Sequence, residues 1–331
     1  MYYLLENRYM VVNLYHPEFW TRHGHWDYYN QTLGGAGTWG KFEYHINSRA
    51  LPFSEFLVVH EDLDRTVTQR VMAGGLVLIT GEERAIKKNY QQDFLNQFDI
   101  IITSRDDLQH PNILKTFYLH SWWIKKTYDE LVKIERVEKL FDLSAIISSI
   151  TILPRHKERY AFINKLKGHY KDKIDWFAKG ENTFLEDKWQ GLSPYRYSIA
   201  IENSEYPNYF TEKISDCFLS LSMPFYSGCP NINEYFDERS FITIYPEDYL
   251  RSIQIIDESI KNDFYSTNLK FVKESRQLVL QKYHLIAALT ELLSTVKKSD
   301  KKVKRTLQPQ IFYSKGTLER MVRSSFKSFK Y

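Results

Sequence analysis

The stretch that decides the fold runs from Tyr195 to Gly228 and reads YRYSIAIENSEYPNYFTEKISDCFLSLSMPFYSG. Its first seven residues alternate and are rich in aromatic and β-branched side chains, which predicts a buried strand. The polar residues 202–208 include a proline and break that pattern, so they predict a loop. Thr211 is a favourable N-cap for a helix with apolar residues at helical spacing, and a short apolar run then leads to Gly228. The stretch therefore predicts a strand, a loop, a helix and a second strand, which is the order of a βαβ unit.

The first turn of this predicted helix carries a lysine, Lys213. A helix N-terminus has partial positive charge, so Glu212 is expected there, whereas a lysine is mildly unfavourable. A lysine beside unpaired backbone N–H groups is explained if a phosphate binds at that helix end. The alternative is a solvated surface lysine, and the spacing alone leaves both interpretations open.

The loop and the elements after it resemble the donor-binding motif of glycosyltransferase family 10, the α1,3/α1,4-fucosyltransferases. The family pattern is roughly ENS-x-x-x-x-Y-x-TEK, a helix and then P-x-x-x-G, and this chain matches its spacing. The matching residues are Glu202-Asn203-Ser204, Tyr209-Phe210-Thr211-Glu212-Lys213, Pro224-Phe225-Tyr226-Ser227-Gly228, and Phe236 with Ser240-Phe241-Ile242.

This resemblance implies an α/β fold of the GT-B architecture, in which two Rossmann-like domains face a central cleft. A length of 331 residues agrees with two domains, because it exceeds what one core usually holds. We predict an N-terminal acceptor-binding domain, a C-terminal nucleotide-sugar-binding domain and a basic amphipathic C-terminal tail, at residues 1–143, 144–296 and 297–331. The charged, helical pattern of residues 126–143 predicts a helix that bridges the two domains, and residues 297–305 predict a mobile linker.

The resemblance also implies roles for particular residues. The family places its general base on the glutamate of a Gly-Glu pair at a strand end, which corresponds here to Glu82, with Glu83 as a close competitor. The family's helix-opening pattern R-x-x-F-x-x-x-L identifies Arg159 as the diphosphate ligand, and a guanidinium suits phosphate because it keeps its charge and binds with two N–H groups.

The remaining predicted donor-site residues lie in the matched motif. Lys213 and the backbone N–H groups at Thr211 are expected to stabilise the diphosphate. Tyr209 is expected to pack on the nucleotide. The side chains expected to hold ribose or donor-sugar hydroxyls are those of Glu202, Asn203 and Glu212.

Charge and cysteine content indicate where in the cell the protein is located. The net charge is +4, but residues 297–331 hold eleven Lys/Arg and two acids, a local +9 that leaves −5 on the rest. Two cysteines without metal-type spacing predict a reduced, cytoplasmic chain, and we expect no secretory leader and no membrane-spanning helix. The basic tail predicts peripheral binding to the inner, anionic face of the cytoplasmic membrane; the alternative is that it packs back on the protein.

The predicted reaction is inverting transfer of fucose from GDP-fucose to a hydroxyl of an oligosaccharide or glycolipid, such as lipopolysaccharide or capsule. No cofactor and no metal ion are expected, and no nucleic-acid partner. Three alternatives stay open: a same-fold transferase that uses another nucleotide sugar, a non-catalytic protein that binds sugar nucleotides at the membrane, and a nucleic-acid binder suggested by the tail alone.

Overall fold

The computed structural model describes residues 8–17, 28–81, 89–147, 153–178, 183 and 185–313. Contacts divide the chain into two compact units. Within the described residues, the first unit holds 8–17, 37–81, 89–116 and 290–313, and the second holds 28–36, 117–147, 153–178, 183 and 185–289. These units differ in extent from the predicted domains, because residues 117–143 contact the second unit and residues 290–313 contact the first.

The first unit is built on a sheet of seven described strands. In their order across the sheet, these are β2 (Thr38–Trp39), β3 (Phe42–Ile46), β1 (Met10–Tyr15), β4 (Phe56–His60), β6 (Leu76–Thr80), β7 (Ile100–Thr103) and β8 (Ile113–Lys115). All neighbours are parallel except β2 and β3. Strands β4 and β6 are buried along their whole length, which explains why their sequences are continuously apolar. The short apolar runs at 56–59 and 76–80 predict buried strands, and both strands are confirmed.

Strands β5 (Val67–Met72) and β14 (Lys302–Leu307) pair as a two-stranded antiparallel ribbon. The prediction of a mobile linker over 297–305 is wrong for its second half. Residues of β14 alternate: Lys302 and Lys304 are exposed, whereas Leu307 is buried in the core of the first unit. The alternation of a strand was present in the sequence, but the lysines on its outer face gave it the composition of a linker.

The second unit is built on a sheet of five described parallel strands. In their order across the sheet, these are β10 (Ile174–Ala178), β9 (Phe141–Ile147), β11 (Tyr195–Ile201), β12 (Met223–Ser227) and β13 (Ile242–Thr243). When the five strands are numbered by their order along the chain, their order across the sheet is 2-1-3-4-5. The direction of winding therefore reverses between β9 and β11. In sheets of this kind the ligand binds at that reversal, outside the carboxyl ends of the strands.

Helices pack on these sheets. The described α-helices are Gln92–Leu95, Tyr128–Lys133, Pro154–Tyr170, Glu212–Leu219, Tyr249–Lys261, Phe264–Leu278 and Leu285–Thr295, with a π-helical turn at Val279–Tyr283. The described 3-10 turns are Tyr29–Gln31, Leu33–Gly35, Lys171–Lys173, Lys188–Gly191, Ile232–Glu234, Glu238–Ser240 and Gln310–Tyr313. None of the helices in the described ranges is long and apolar enough to cross a membrane.

The predicted bridging helix over 126–143 is much shorter than expected. It begins at a capping box between Thr127 and Glu130 and ends at Lys133, after which the chain turns extended. Phe141 already belongs to β9, whose residues Leu143 and Ala145 are buried in the second sheet. The charged residues favoured a helix locally, but pairing of this segment with β11 decides its structure.

Lys139, in the irregular segment before β9, makes the stability of the protein depend on pH. Its ammonium donates to the carbonyls of Ser193 (2.8 Å) and Ser220 (3.0 Å) and to Ser222 Oγ (3.1 Å), and burial lowers its pKa to about 7. The unfolded chain therefore binds more protons than the folded chain from about pH 7 up to the ordinary lysine pKa. The free energy of unfolding should rise with pH across that window, by at most about 1.4 kcal/mol per pH unit. Urea unfolding at several pH values should show this rise in the wild type and a smaller one in Lys139→Met; equal slopes would contradict the assignment.

Candidate functional site

The candidate site lies at the carboxyl ends of β9 and β11, where the second sheet reverses its direction of winding. Two helices begin at this edge. Pro154–Tyr170 follows β9, and Glu212–Leu219 follows β11 after the loop 202–211. Helix N-termini carry partial positive charge and unpaired N–H groups, so an anion is favoured where they begin.

The loop 202–211 is fixed by Asn208. Its backbone is left-handed, with φ of 65°, a conformation that asparagine tolerates better than most residues. Its backbone N–H donates to Asn231 Oδ1 at 2.8 Å, and its side-chain oxygen accepts from Asn231 Nδ2 at 2.8 Å and from the Tyr235 hydroxyl at 2.6 Å. These bonds give the loop one conformation before any ligand is present.

Tyr209, predicted to pack on the nucleotide, is 2% exposed. Its ring stacks on Tyr206 at 4.6 Å between ring centroids and packs against Tyr118 at 5.6 Å. In this structure Tyr209 therefore supports the loop from within. Its contact with a nucleotide stays a prediction.

Glu202, predicted to hold a sugar hydroxyl, is fully buried and closes the loop. One carboxylate oxygen accepts the backbone N–H of Thr211 at 2.8 Å, and the other accepts the Thr211 hydroxyl at 2.7 Å. Burial raises the pKa of Glu202, and the nearby ammonium of Lys213 opposes that rise. Because both oxygens are engaged inside the protein, the geometry assigns Glu202 to holding the helix N-cap.

Gly228 makes room for this arrangement. A Cβ at position 228 would lie 2.4 Å from Cγ and 2.8 Å from Cβ of Glu202, which is closer than carbon atoms approach. Gly228→Ala should therefore displace Glu202, lower the free energy of unfolding by about 1–3 kcal/mol and weaken nucleotide binding. Gly168→Ala is the control, because a Cβ in that helix meets nothing within 4 Å, and it should be neutral or stabilising. Melting curves and nucleotide titrations of both variants test this; an unchanged Gly228→Ala protein would contradict it.

Lys213 is turned toward the loop and is four-fifths buried, so the interpretation as a solvated lysine is wrong. Its ammonium lies 3.0 Å from Thr211 Oγ1, 3.3 Å from a Glu202 oxygen and 3.4 Å from a Glu212 oxygen. Thr211 is the N-cap, as predicted, and accepts the backbone N–H of Lys213. Lys213 therefore holds its positive charge at the N-terminus of the helix Glu212–Leu219.

Glu212 faces a second lysine that sequence reasoning missed. Lys188 lies 3.4 Å from a Glu212 oxygen and 3.2 Å from an Asp216 oxygen. Burial opposes ionisation of Glu212, but Lys213, Lys188 and His120 outweigh it and lower its pKa. The available signal was Asp216, a carboxylate four residues after Glu212 and therefore on the same helix face, since two acids buried together need a cationic partner.

Arg159 links the helix Pro154–Tyr170 to the loop 202–211. It is 4% exposed, and its Nη1 donates to Asn203 Oδ1 at 2.5 Å. Arg159, the predicted ligand of the diphosphate, thus lies beside Asn203, the predicted ligand of a ribose or donor-sugar hydroxyl. Arg155, one turn earlier in the same helix, has a side chain that is 15% exposed and lies 2.7 Å from Ser227 Oγ and 3.2 Å from a Glu205 oxygen.

A small cavity opens beside these groups in the second unit. Its lining includes Arg159, Lys188, Lys213 and Asp216 together with the last residues of β11. The structure therefore brings three cations, two of them paired with carboxylates, to one concave surface at the edge of the sheet where ligands bind in this topology.

The predicted base, Glu82, and its competitor Glu83 lie outside the described residues. The residues that flank them are fixed by one carboxylate at the end of β4, that of Glu61. Its oxygens accept the backbone N–H of Gly81 at 2.8 Å, the hydroxyl of Thr80 at 2.9 Å and the hydroxyl of Tyr90. Both described flanks of the segment 82–88 are thereby fixed to the same side chain.

Comparisons with known proteins agree with the resemblance read from the sequence. The model of "Glycosyltransferase family 10 (fucosyltransferase) C-term" matches residues 143–262. The alpha-(1,3)-fucosyltransferase FucT of Helicobacter pylori is 30% identical over 78 residues, which are 24% of this chain and 15% of that protein. The chain thus aligns with less than a fifth of the length of this relative.

Solved structures share the fold at low sequence identity. A crystal structure of α1,3-fucosyltransferase with GDP has a TM-score of 0.50 and 15% identity, over 85% of this chain and 94% of that one. An α-glucosyltransferase in complex with UDP and DNA has a TM-score of 0.52 and 8% identity, over 87% of this chain and 99% of that one. The predicted α/β fold of the GT-B class is confirmed, and residues 143–262, which carry the donor-site motif, match the C-terminal domain of glycosyltransferase family 10.

Proposed function

We propose that this protein is an inverting glycosyltransferase that moves fucose from GDP-fucose to a hydroxyl of a surface glycan, most simply as an α1,3-fucosyltransferase. One observation carries the proposal. Arg159, Lys213 and the N-terminus of the helix Glu212–Leu219 meet at the reversal point of the second sheet, inside the segment that matches family 10. A site of this charge and position suits the diphosphate of a nucleotide sugar.

The chemistry assigned to these groups is charge stabilisation of the leaving group. As the acceptor oxygen forms its bond to the anomeric carbon, the bond from that carbon to the diphosphate breaks and GDP leaves with the electron pair. Arg159, Lys213 and the helix N–H groups stabilise the negative charge that develops on the diphosphate. We propose that these protein charges suffice and that no metal ion is required.

The acceptor hydroxyl must lose its proton during the same step. We propose Glu82 as the general base, because it directly follows Gly81 at the end of β6, and carboxyl ends of parallel strands face the ligand in this topology. Asn203 and Glu212 are proposed to bind ribose or donor-sugar hydroxyls. Glu202 is proposed to act indirectly, by holding the Thr211 N-cap in place.

We propose a lipopolysaccharide or capsule acceptor and peripheral attachment to the inner face of the cytoplasmic membrane through the basic tail. Co-sedimentation with vesicles of anionic lipid tests the attachment: the full chain should bind them, and a chain that ends at residue 313 should not. Equal binding by both would contradict a role for the tail.

Product formation tests the proposed reaction. The purified protein is incubated with GDP-fucose and a panel of bacterial oligosaccharides, with and without EDTA, and released GDP is measured. Acceptor-dependent GDP release that EDTA does not change supports the proposal, and NMR of the product reports the anomeric configuration. Turnover of a UDP-sugar but not of GDP-fucose would contradict GDP-fucose as the donor. It would favour a transferase of the same fold that uses another nucleotide sugar, and the UDP-bound α-glucosyltransferase is a protein of this fold.

A further inference from the structure

His156 is a buried imidazole at the candidate site that nothing above assigns. It lies in the first turn of the helix Pro154–Tyr170 and is 5% exposed. Among the described residues, neither of its ring nitrogens has a hydrogen-bond partner. Buried polar side-chain atoms are nearly always paired, so an exception calls for an explanation, and a ligand that supplies the missing partner is one.

The charges around His156 indicate what that ligand is. Arg159 lies one turn further along the same helix, and Lys213 lies in the first turn of the helix after β11. Burial, and then the charges of these two residues, lower the pKa of His156. These effects disfavour the protonated form of the imidazole.

An anion bound between Arg159 and Lys213 would reverse this balance. Its negative charge offsets the two cations, and its oxygens accept hydrogen bonds from an imidazole, which has two donors once it is protonated. The helix Pro154–Tyr170 has 17 residues, and its N-terminus adds to the attraction for an anion. A ligand with several oxygens and at least two negative charges fits the unpartnered imidazole, the two cations and the helix N-terminus.

We propose that His156 binds the diphosphate of the donor and takes up one proton from solvent as the diphosphate binds. This inference rests on the proposed function, because it uses the assignment of the donor diphosphate to this site. The proton returns to solvent when the nucleotide leaves. His156 thereby adds a positive charge that is present only while the site is occupied.

The test is calorimetric titration with GDP at one pH in two buffers that differ in their enthalpy of ionisation. The difference in observed heat gives the number of protons taken up on binding. The terminal phosphate of GDP also titrates, so the measured quantity is the difference between protein variants. We expect the wild type to take up more protons than His156→Gln, which can still donate a hydrogen bond but cannot be protonated. Affinity should fall about tenfold in His156→Gln and lose much of its pH dependence.

His169→Gln is the matched control, since His169 lies at the other end of the same helix, is 43% exposed and lies 3.7 Å from an Asp257 oxygen. It should match the wild type in affinity and proton uptake. Melting curves establish that each variant is folded.

Equal proton uptake and affinity in wild type and His156→Gln would overturn the inference and leave the proposed function standing. Titration with inorganic diphosphate and with UDP separates the two claims. Suppose that either ligand binds with a proton uptake that His156→Gln removes, and that GDP binds no more tightly than UDP. The inference about His156 then holds, and the assignment of GDP as the nucleotide fails. If GDP, UDP and inorganic diphosphate all fail to bind, both are overturned.

Discussion

Arg159→Ala should weaken the binding of GDP by about 10- to 100-fold while the protein remains folded. The guanidinium is 4% exposed and donates to the amide oxygen of Asn203 at the sheet edge where the diphosphate is proposed to bind. Hydrogen bonds to charged groups contribute about 1.5–3 kcal/mol, which corresponds to this loss of affinity. Calorimetric titration with GDP measures the effect directly.

Arg196→Ala is the control for this prediction. Arg196 lies near the start of β11, whereas the site lies beyond its end, and its side chain is 44% exposed beside Asp142. This variant should bind GDP as the wild type does. Arg159→Lys should fall between the two, because a lysine keeps the charge but loses the paired N–H groups. Full GDP affinity in Arg159→Ala would show that the diphosphate does not bind at this residue.

Glu82→Gln should abolish transfer and leave GDP affinity unchanged. A glutamine cannot accept the proton of the acceptor hydroxyl, and general base catalysis contributes about 10²- to 10⁴-fold. The donor groups Arg159 and Lys213 belong to the second unit, so the substitution leaves them intact. Turnover of GDP-fucose with a saturating acceptor measures the loss, and a GDP titration of the same variant measures donor binding.

Glu83→Gln is the control, since Glu83 is the neighbouring carboxylate that competes for the role. It should keep most of the activity. If Glu83→Gln loses turnover and Glu82→Gln keeps it, the base is Glu83. If neither substitution lowers turnover, the base is not in this Gly-Glu-Glu sequence, although the donor site would be unaffected.

Local sequence predicted the buried strands well because burial on both faces imposes a continuous apolar pattern. Residues 76–80 form β6 as predicted, and β11 coincides with the predicted strand at 195–201. The second halves of the segments 126–143 and 297–305 were predicted wrongly for the same physical reason. Their charged residues indicate a solvated helix or linker, whereas pairing with β11 and with β5, each distant in sequence, decides their structure.

The sequence motif indicated which residues would meet at one sheet edge, but it did not indicate how their side chains would pack. The motif located Arg159, Asn203, Thr211 and Lys213 at one edge of a sheet, and the described structure brings them together there. The burial of Glu202 could not be predicted, because it depends on space that the missing side chain of Gly228 provides. Lys188 gave no sequence signal of its own, since its partners Glu212 and Asp216 become its neighbours only in the folded chain.

The central claim is that the second unit binds a guanosine diphosphate sugar, and calorimetric titration of the purified protein with GDP, UDP and ADP tests it most directly. The titrations are run without added metal ion and in the presence of EDTA. We predict that GDP binds and that UDP and ADP bind at least about tenfold more weakly, a difference of roughly 1.4 kcal/mol or more. Preferential binding of UDP or ADP, or binding of none of the three, would contradict the account.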